Sequence, residues 1–188
     1  PIPVLSCQIG KDGKGRVGLK TLAVCFVARA NNAVPSPNMS GDATLRNAVG
    51  GLPSPEFDTT PSSLGKPLSE AKVAIVTTAG LKRSGEVELW QPGDGSYTVI
   101  PADARDLRLS HFSPNFYRSG IAADLNVVYP IDRLNELAEA GVIGSVAERL
   151  LSFMGAQFDF ASIVQDTAPR AAQELIDDGV DVVIFTPV

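Results

Sequence analysis

The sequence predicts an α/β domain over residues 69 to 188: an open, mainly parallel sheet flanked by helices, Rossmann-like, and incomplete at its C-terminal end. Three observations carry this expectation. Short apolar runs without polar alternation, such as Val182-Val183-Ile184-Phe185, read as strands buried on both faces. Between them lie segments whose apolar residues recur at helical spacing. Glycines close the segments, at Gly80, Gly141, Gly155 and Gly179, so that strand, helix, strand, helix and strand follow one another.

Taken in order, residues 1 to 68 are of a different kind and read as an N-terminal arm and linker. "VGLKTLAVCFVARANN", residues 17 to 32, has basic residues around an apolar core, yet it lies far from the start and lacks a cleavage context. It is either a strand of the main sheet or upstream sequence with no fold of its own. From 31 to 67, Pro35, Pro37, Pro53, Pro55, Pro61 and Pro67 interrupt a background of Gly, Ser and Asn. Such composition buries too little surface to offset its ordering entropy.

The pattern tightens from Ser69. "AKVAIVTTAG" contains a buried strand, Val73 to Thr77, and "SYTVIP", 96 to 101, is an edge strand ended by Pro101. "LNVVYP", 125 to 130, reads as another buried strand, with Pro130 in the first turn of the next helix. That helix, 130 to 140, aligns Ile131, Leu134, Leu137 and Ala138, with Asp132 favoured by the dipole of its first turn. A second helix is expected from Ser145, where Ser145 and Glu148 have capping-box spacing and Val146, Leu150 and Phe153 form a stripe. A third opens near Asp166 or Thr167, has Pro169 in its first turn, and runs through Ala172, Leu175 and Ile176 to the final strand, Val182 to Thr186.

Composition excludes several functions. A net charge of -5 without a basic cluster argues against nucleic acid. The longest apolar segment, Thr21 to Ala28, is less than half of the roughly 18 residues that span a bilayer, so no membrane association is expected. Two cysteines, Cys7 and Cys25, form neither a disulfide framework nor a CxxC pair and read as reduced thiols. With one histidine in the chain, no metal site is expected, nor any organic cofactor, and the location expected is cytoplasmic.

Chemistry in a parallel sheet belongs at the carboxyl ends of its strands. After the first strand come Thr77, Thr78, Ala79 and Gly80, whose amides could cradle an anion or simply form a turn. The segment 111 to 132 gathers His111, Tyr117, Arg118, Asp124, Asn126 and Asp132. His111 titrates nearest neutrality and has the chemistry of a general acid or base. Against that, Asp132 has the position of a helix cap, and Arg118 could pair with Asp124. The ordered half contains no cysteine, no GxSxG elbow and no P-loop.

"HFSPNFYRSGIAADLNVVYPIDRLNELAEAGVIGSVAERLLSFMG", followed by "AAQELIDDGVDVVIFTPV", resembles the selenoprotein B family of glycine, sarcosine, betaine and D-proline reductases. The likeness rests on His111 before Asp124-x-Asn126, Pro130-x-Asp132, the turn from Gly141 to Gly144, Gly155, and Gly179-Val-Asp181 entering an apolar strand. It covers about residues 69 to 188 and is strongest to a short branch whose members often lack selenocysteine. The resemblance implies reductive cleavage of a carbon–nitrogen bond in a glycine-, betaine- or proline-like substrate, with a disulfide as acceptor and a thiol or selenol redox partner. It places a cysteine or selenocysteine just beyond Val188, so the sequence is expected to be a truncated or processed piece. It implies catalytic roles for His111 and Asp124, and substrate binding by Thr77, Thr78, Gly80, Asn126, Asp132 and Thr186. The bare edge of a central strand predicts a homo-oligomer. Two other classes remain: a small-molecule binding or regulatory α/β protein without redox chemistry, and an acid–base enzyme working without a redox residue.

Overall fold

The computed structural model describes residues 4–11, 17–26, 64–86, 90–113, 118–157 and 159–188 within a unit made of Pro1–Val27 and Pro61–Val188. Most of the expected linker, together with Tyr117 and the side chains of Cys7 and Cys25, lies outside the described residues.

The centre of the fold is β3 (Lys72–Thr77), whose last five residues are all buried. β8 (Arg149–Phe153) lies on one side of it and β9 (Val182–Thr186) on the other, both parallel to it. Beyond β9 come β2 (Val17–Phe26), parallel to β9, and then β1 (Val4–Lys11), antiparallel. Thus residues 17 to 26 are a strand of the main sheet, one of the two readings above. β5 (Tyr97–Pro101) is antiparallel to β8 and forms the opposite edge, as predicted, while β7 (Ser145–Val146) extends the pairing along the start of β3. The result is an α/β fold with a seven-stranded mixed sheet and a parallel centre. β9 is interior, with Ile184 opposite Cys25 on one side and Ile75 on the other.

Three helices among the described residues matter here: α1 (Arg118–Ala123), α2 (Ile131–Glu139) and α3 (Ala168–Asp177). α2 is the helix expected over 130 to 140. Ile131 and Leu134 are buried, and Gly141, at φ +69°, lets the chain turn out of it. Leu137, expected on the buried face, is 39% exposed. α3 buries Ala171 and Leu175, carries Pro169 in its first turn, and is preceded by a wider turn, Ile163–Thr167.

Two predicted elements are corrected. Residues 145 to 155 are not a helix but β7 and β8. Leu150, Leu151, Ser152 and Phe153 are consecutively buried because β8 lies inside the sheet, between β3 and β5. A strand buried on both faces has apolar residues at every position, and these satisfy a helical stripe equally well. The amides of Ser145 and Ala147 donate to the carbonyls of Ala71 and Val73, so the apparent capping box is the start of a ladder. Residues 125 to 130 are not a strand but a 3₁₀ turn, Leu125–Val127, and a connecting bend. Asp124 accepts from the amide of Asn126 at 2.9 Å, a local bond that competes with extended backbone. Val127 is 46% exposed, whereas Val128 and Tyr129 turn into the core.

β4 (Leu81–Arg83) and β6 (Leu107–Leu109) form a separate antiparallel ribbon that continues from the carboxyl end of β3. Among the described residues, no helix is long and apolar enough to cross a membrane.

Candidate functional site

From β3 the chain crosses by α2 to β8 on one side. It then crosses by α3 to β9, on the other side of β3. This reversal of direction makes the carboxyl ends of β3 and β9 a topological switch point, where the two connections diverge and leave a crevice. The residues there are Thr77 to Gly80, Thr186 to Val188, and Gly155 after β8.

The strand ends are tied together tightly. The Thr186 carbonyl accepts from the Thr77 hydroxyl and the Thr78 amide, both at 3.2 Å, and the Val188 amide donates to the Thr78 hydroxyl at 2.9 Å. Thr186 Oγ1 donates to the Val128 carbonyl at 2.6 Å. The Ala79 amide donates to Thr77 Oγ1 and the Gly80 amide to the Phe153 carbonyl. The amides of residues 78 to 80 are therefore engaged within the protein, and the turn is not an open anion cradle. Thr78 is the partly exposed member of this group, while Thr77, Gly80 and Thr186 are buried.

His111 stands at this end of the sheet, only 4% exposed. Two groups fix it. The Ser110 amide donates to the Gly80 carbonyl at 3.0 Å, and Arg118 Nη2 donates to the carbonyls of His111 and Ser113, each at 2.6 Å. The Ser113 amide donates to His111 Nδ1 at 3.1 Å, which puts the proton of the neutral ring on Nε2. Burial, with the neighbouring Arg118 charge, pushes the imidazole below its ordinary value, so the ring is neutral at pH 7. A Cβ on Gly155 would lie 2.9 Å from His111 Nε2, 2.8 Å from the Thr78 carbonyl oxygen and 3.1 Å from the Val188 carbonyl oxygen. Glycine at 155 is what allows imidazole, β3 and the residues after β9 to converge on one point.

Asp124, Asn126 and Asp132 form a second group. Asn126 Nδ2 donates to Asp124 Oδ1 at 3.0 Å and to Asp132 Oδ2 at 2.9 Å, while its Oδ1 accepts from the Asp132 amide at 3.1 Å. Asn126 thereby caps the start of α2, and its side-chain and backbone donors hold Asp124 below the usual carboxylate range. The group connects to the first through Val128, whose carbonyl receives the Thr186 hydroxyl.

Sequence reasoning missed Gly155 as a site residue, and with it a hollow beside His111. That hollow, about 260 Å³, is lined by Trp90, Arg108, Leu109, Ser110, His111 and Phe112. Trp90 donates from Nε1 to the Gly80 carbonyl at 3.0 Å, and Lys82 Nζ sits 4.8 Å from the centre of its ring. Its being the sole tryptophan was the available signal. Arg108 carries none, because the pairing of β4 with β6 is what brings it there.

Fold and site together define a switch-point α/β domain whose cleft is walled by threonines, a glycine and a neutral, buried histidine. Residues 47–188 match the family described as glycine/sarcosine/betaine reductase selenoprotein B, and the chain belongs to that family. The match starts at residue 47, so it includes part of the segment expected to be linker. The chain is 34% identical over 123 residues to the D-proline reductase subunit gamma of Acetoanaerobium sticklandii, covering 64% of this chain and 50% of that protein. It is 30% identical over 142 residues to the sarcosine reductase complex component B subunit beta of Peptoclostridium acidaminophilum, covering 71% of this chain and 32% of that one. The glycine reductase complex component B subunit gamma of the same organism gives the same identity and coverage. The chain thus spans between a third and a half of the length of these relatives. No solved structure matches it.

Proposed function

We propose that this chain is the substrate-cleft part of a reductase subunit that cleaves a carbon–nitrogen bond in a glycine-, betaine- or proline-like molecule. The observation that carries this reading is the neutral His111 imidazole at the β3/β9 switch point, in a chain of the selenoprotein B family. The attacking group in this reading is a cysteine or selenocysteine within a few residues of the carboxyl end of β9. A thiolate or selenolate there bonds to the α-carbon as the C–N bond breaks. The bonding pair goes to nitrogen, which takes a proton and leaves as the amine. A second thiol then displaces the sulfur or selenium, leaving a disulfide or selenenyl sulfide, and the carbon keeps the electron pair and takes a proton.

The residues described here bind and orient. His111 Nε2–H is a hydrogen-bond donor to substrate, since Nδ1 is held by Ser113 and the ring is neutral. Thr77, Thr78, Gly80 and Thr186 shape the crevice wall beside the nucleophile. Asp124, kept ionised by Asn126, is the rim carboxylate suited to a cationic amine, with Asp132 holding Asn126 in place. The Rossmann-like character of residues 69 to 188, a cytoplasmic location, self-association and assembly with partner subunits belong to the same reading.

The test has two parts. Sequencing the gene past the codon for Val188 is expected to show Cys or selenocysteine within a few codons. The full-length subunit with its partners and a dithiol is expected to release amine from glycine, sarcosine, betaine or D-proline, and His111→Gln to lower kcat about 10²-fold or more. Amine release from none of the four, or an unimpaired His111→Gln enzyme, overturns the reading.

A further inference from the structure

The ribbon of β4 and β6 carries an imbalance of charge that its own residues do not resolve. Lys82 and Arg108 are direct cross-strand partners, so two cations share one face of the ribbon. Like charges at that spacing are destabilising unless an anion lies between them. Arg83 is matched by Asp106, leaving Glu86 to serve both cations, and it serves neither fully. Its carboxylate is 3.8 Å from Lys82 Nζ, and it is the Glu86 backbone carbonyl that accepts from Arg108 Nη2. Arg108 Nε is buried without a hydrogen-bond partner, and so is the hydroxyl of Ser110, two residues further on. Both residues line the hollow beside His111. Buried polar groups are ordinarily satisfied, and two unsatisfied ones in the wall of one hollow mark a place for a ligand.

We infer that this hollow is a binding site for a small carboxylate. Arg108 and Ser110 supply three features a carboxylate uses: positive charge, a planar N–H donor and a hydroxyl donor. The remaining wall is Trp90, Leu109 and Phe112, which accommodates a short apolar body. At about 260 Å³ the space falls below the ~300–1,000 Å³ of sites for drug-sized ligands, so it selects an acid of a few heavy atoms. His111 is common to this hollow and the switch-point crevice, so a carboxylate held by Arg108 places the rest of its molecule toward the strand ends. Arg108 is then a substrate-positioning residue. Assigning the carboxylate to the substrate rests on the function proposed above, whereas carboxylate binding itself does not.

Trp90, the only tryptophan in the chain, reports the hollow directly. The full chain is titrated with acetate and with glycine while its fluorescence is followed, with acetamide, glycinamide, inorganic phosphate and matched chloride as controls. Both carboxylates are expected to change the emission saturably, and the amides and chloride are not. Arg108→Gln is expected to weaken binding about tenfold or more, the scale of a lost charged hydrogen bond. Ser110→Ala, which leaves the Arg108–Glu86 contact in place, is expected to weaken it several-fold and covers the case of an Arg108 variant that does not fold. Emission that follows chloride alone, equal affinity in wild type and both variants, or tighter binding of phosphate than of acetate would overturn the inference. Carboxylate binding by a protein inactive in the reductase assay would overturn the proposed function and leave this site standing. Reductase turnover without carboxylate binding at Trp90 would do the reverse.

Discussion

Gly155→Ala puts the architecture of the cleft to a direct test. The added methyl would sit 2.8 Å from the Thr78 carbonyl oxygen, 2.9 Å from His111 Nε2 and 3.1 Å from the Val188 carbonyl oxygen. None of these is the loose end of a flexible side chain. The Thr78 carbonyl is fixed by the Gly155 amide at 2.9 Å, and the imidazole is held by Ser113. Relief therefore requires β3, β8 and the His111 loop to move apart, an overpacking cost of about 1–3 kcal/mol. For a chain of this length each kcal/mol lowers Tm by about 2–4 °C, so the expected loss is about 2–12 °C. Thermal unfolding followed by circular dichroism measures it, beside Gly65→Ala, where nothing lies within 4 Å of the new methyl. The control should melt within about 2 °C of the parent, the range of a neutral surface change. If Gly155→Ala did the same, the convergence of imidazole and strand ends on that point would be refuted.

Two more predictions concern the same region. His111 is the sole histidine, so its imidazole proton resonances give an unambiguous titration. Its folded pKa lies below the unfolded value of about 6.5, so between the two only the unfolded chain holds the extra proton. Stability should therefore fall as pH drops from about 6.5 and level off below the folded value, and His111→Asn should remove that part of the slope in urea titrations. A midpoint above 6.5 would contradict the burial described. Thr186→Val removes the 2.6 Å bond to the Val128 carbonyl and leaves that acceptor without this donor, costing about 1–3 kcal/mol, while Thr186→Ser keeps it. Equal urea midpoints for the two variants would show that the bond contributes nothing.

β3, α2, α3 and β9 were legible because their apolar pattern and their stops agree: Gly80 after β3, Gly141 after α2 and Gly179 after α3 bound runs of one clear period. β8 was not legible. Leu150, Leu151 and Phe153 fit either period, and the deciding fact, that strands lie on both sides, is tertiary. Val127 to Tyr129 failed for the opposite reason, since a local bond from Asp124 overrides β-branched preference. At the site, His111 stood out as the lone histidine, and its burial against Gly155 did not. Arg108 and Ser110 are ordinary residues in the sequence. They acquire meaning only when β6 is laid against β4 and the charge of Lys82 is found opposite Arg108.

The position of β9 between β2 and β3 also bears on how the molecule is made. As the chain leaves the ribosome, β2 and β3 both emerge before the strand that must separate them. Each then waits with an open ladder of amides and carbonyls, free to pair wrongly with its neighbour or with another nascent chain. Because β9 must pair on both sides, and parallel to both, the last step of assembly is a long-range insertion and therefore a slow one. Yield in a host cell should depend on chaperones that shield those two edges more than on the thermal stability of the finished sheet.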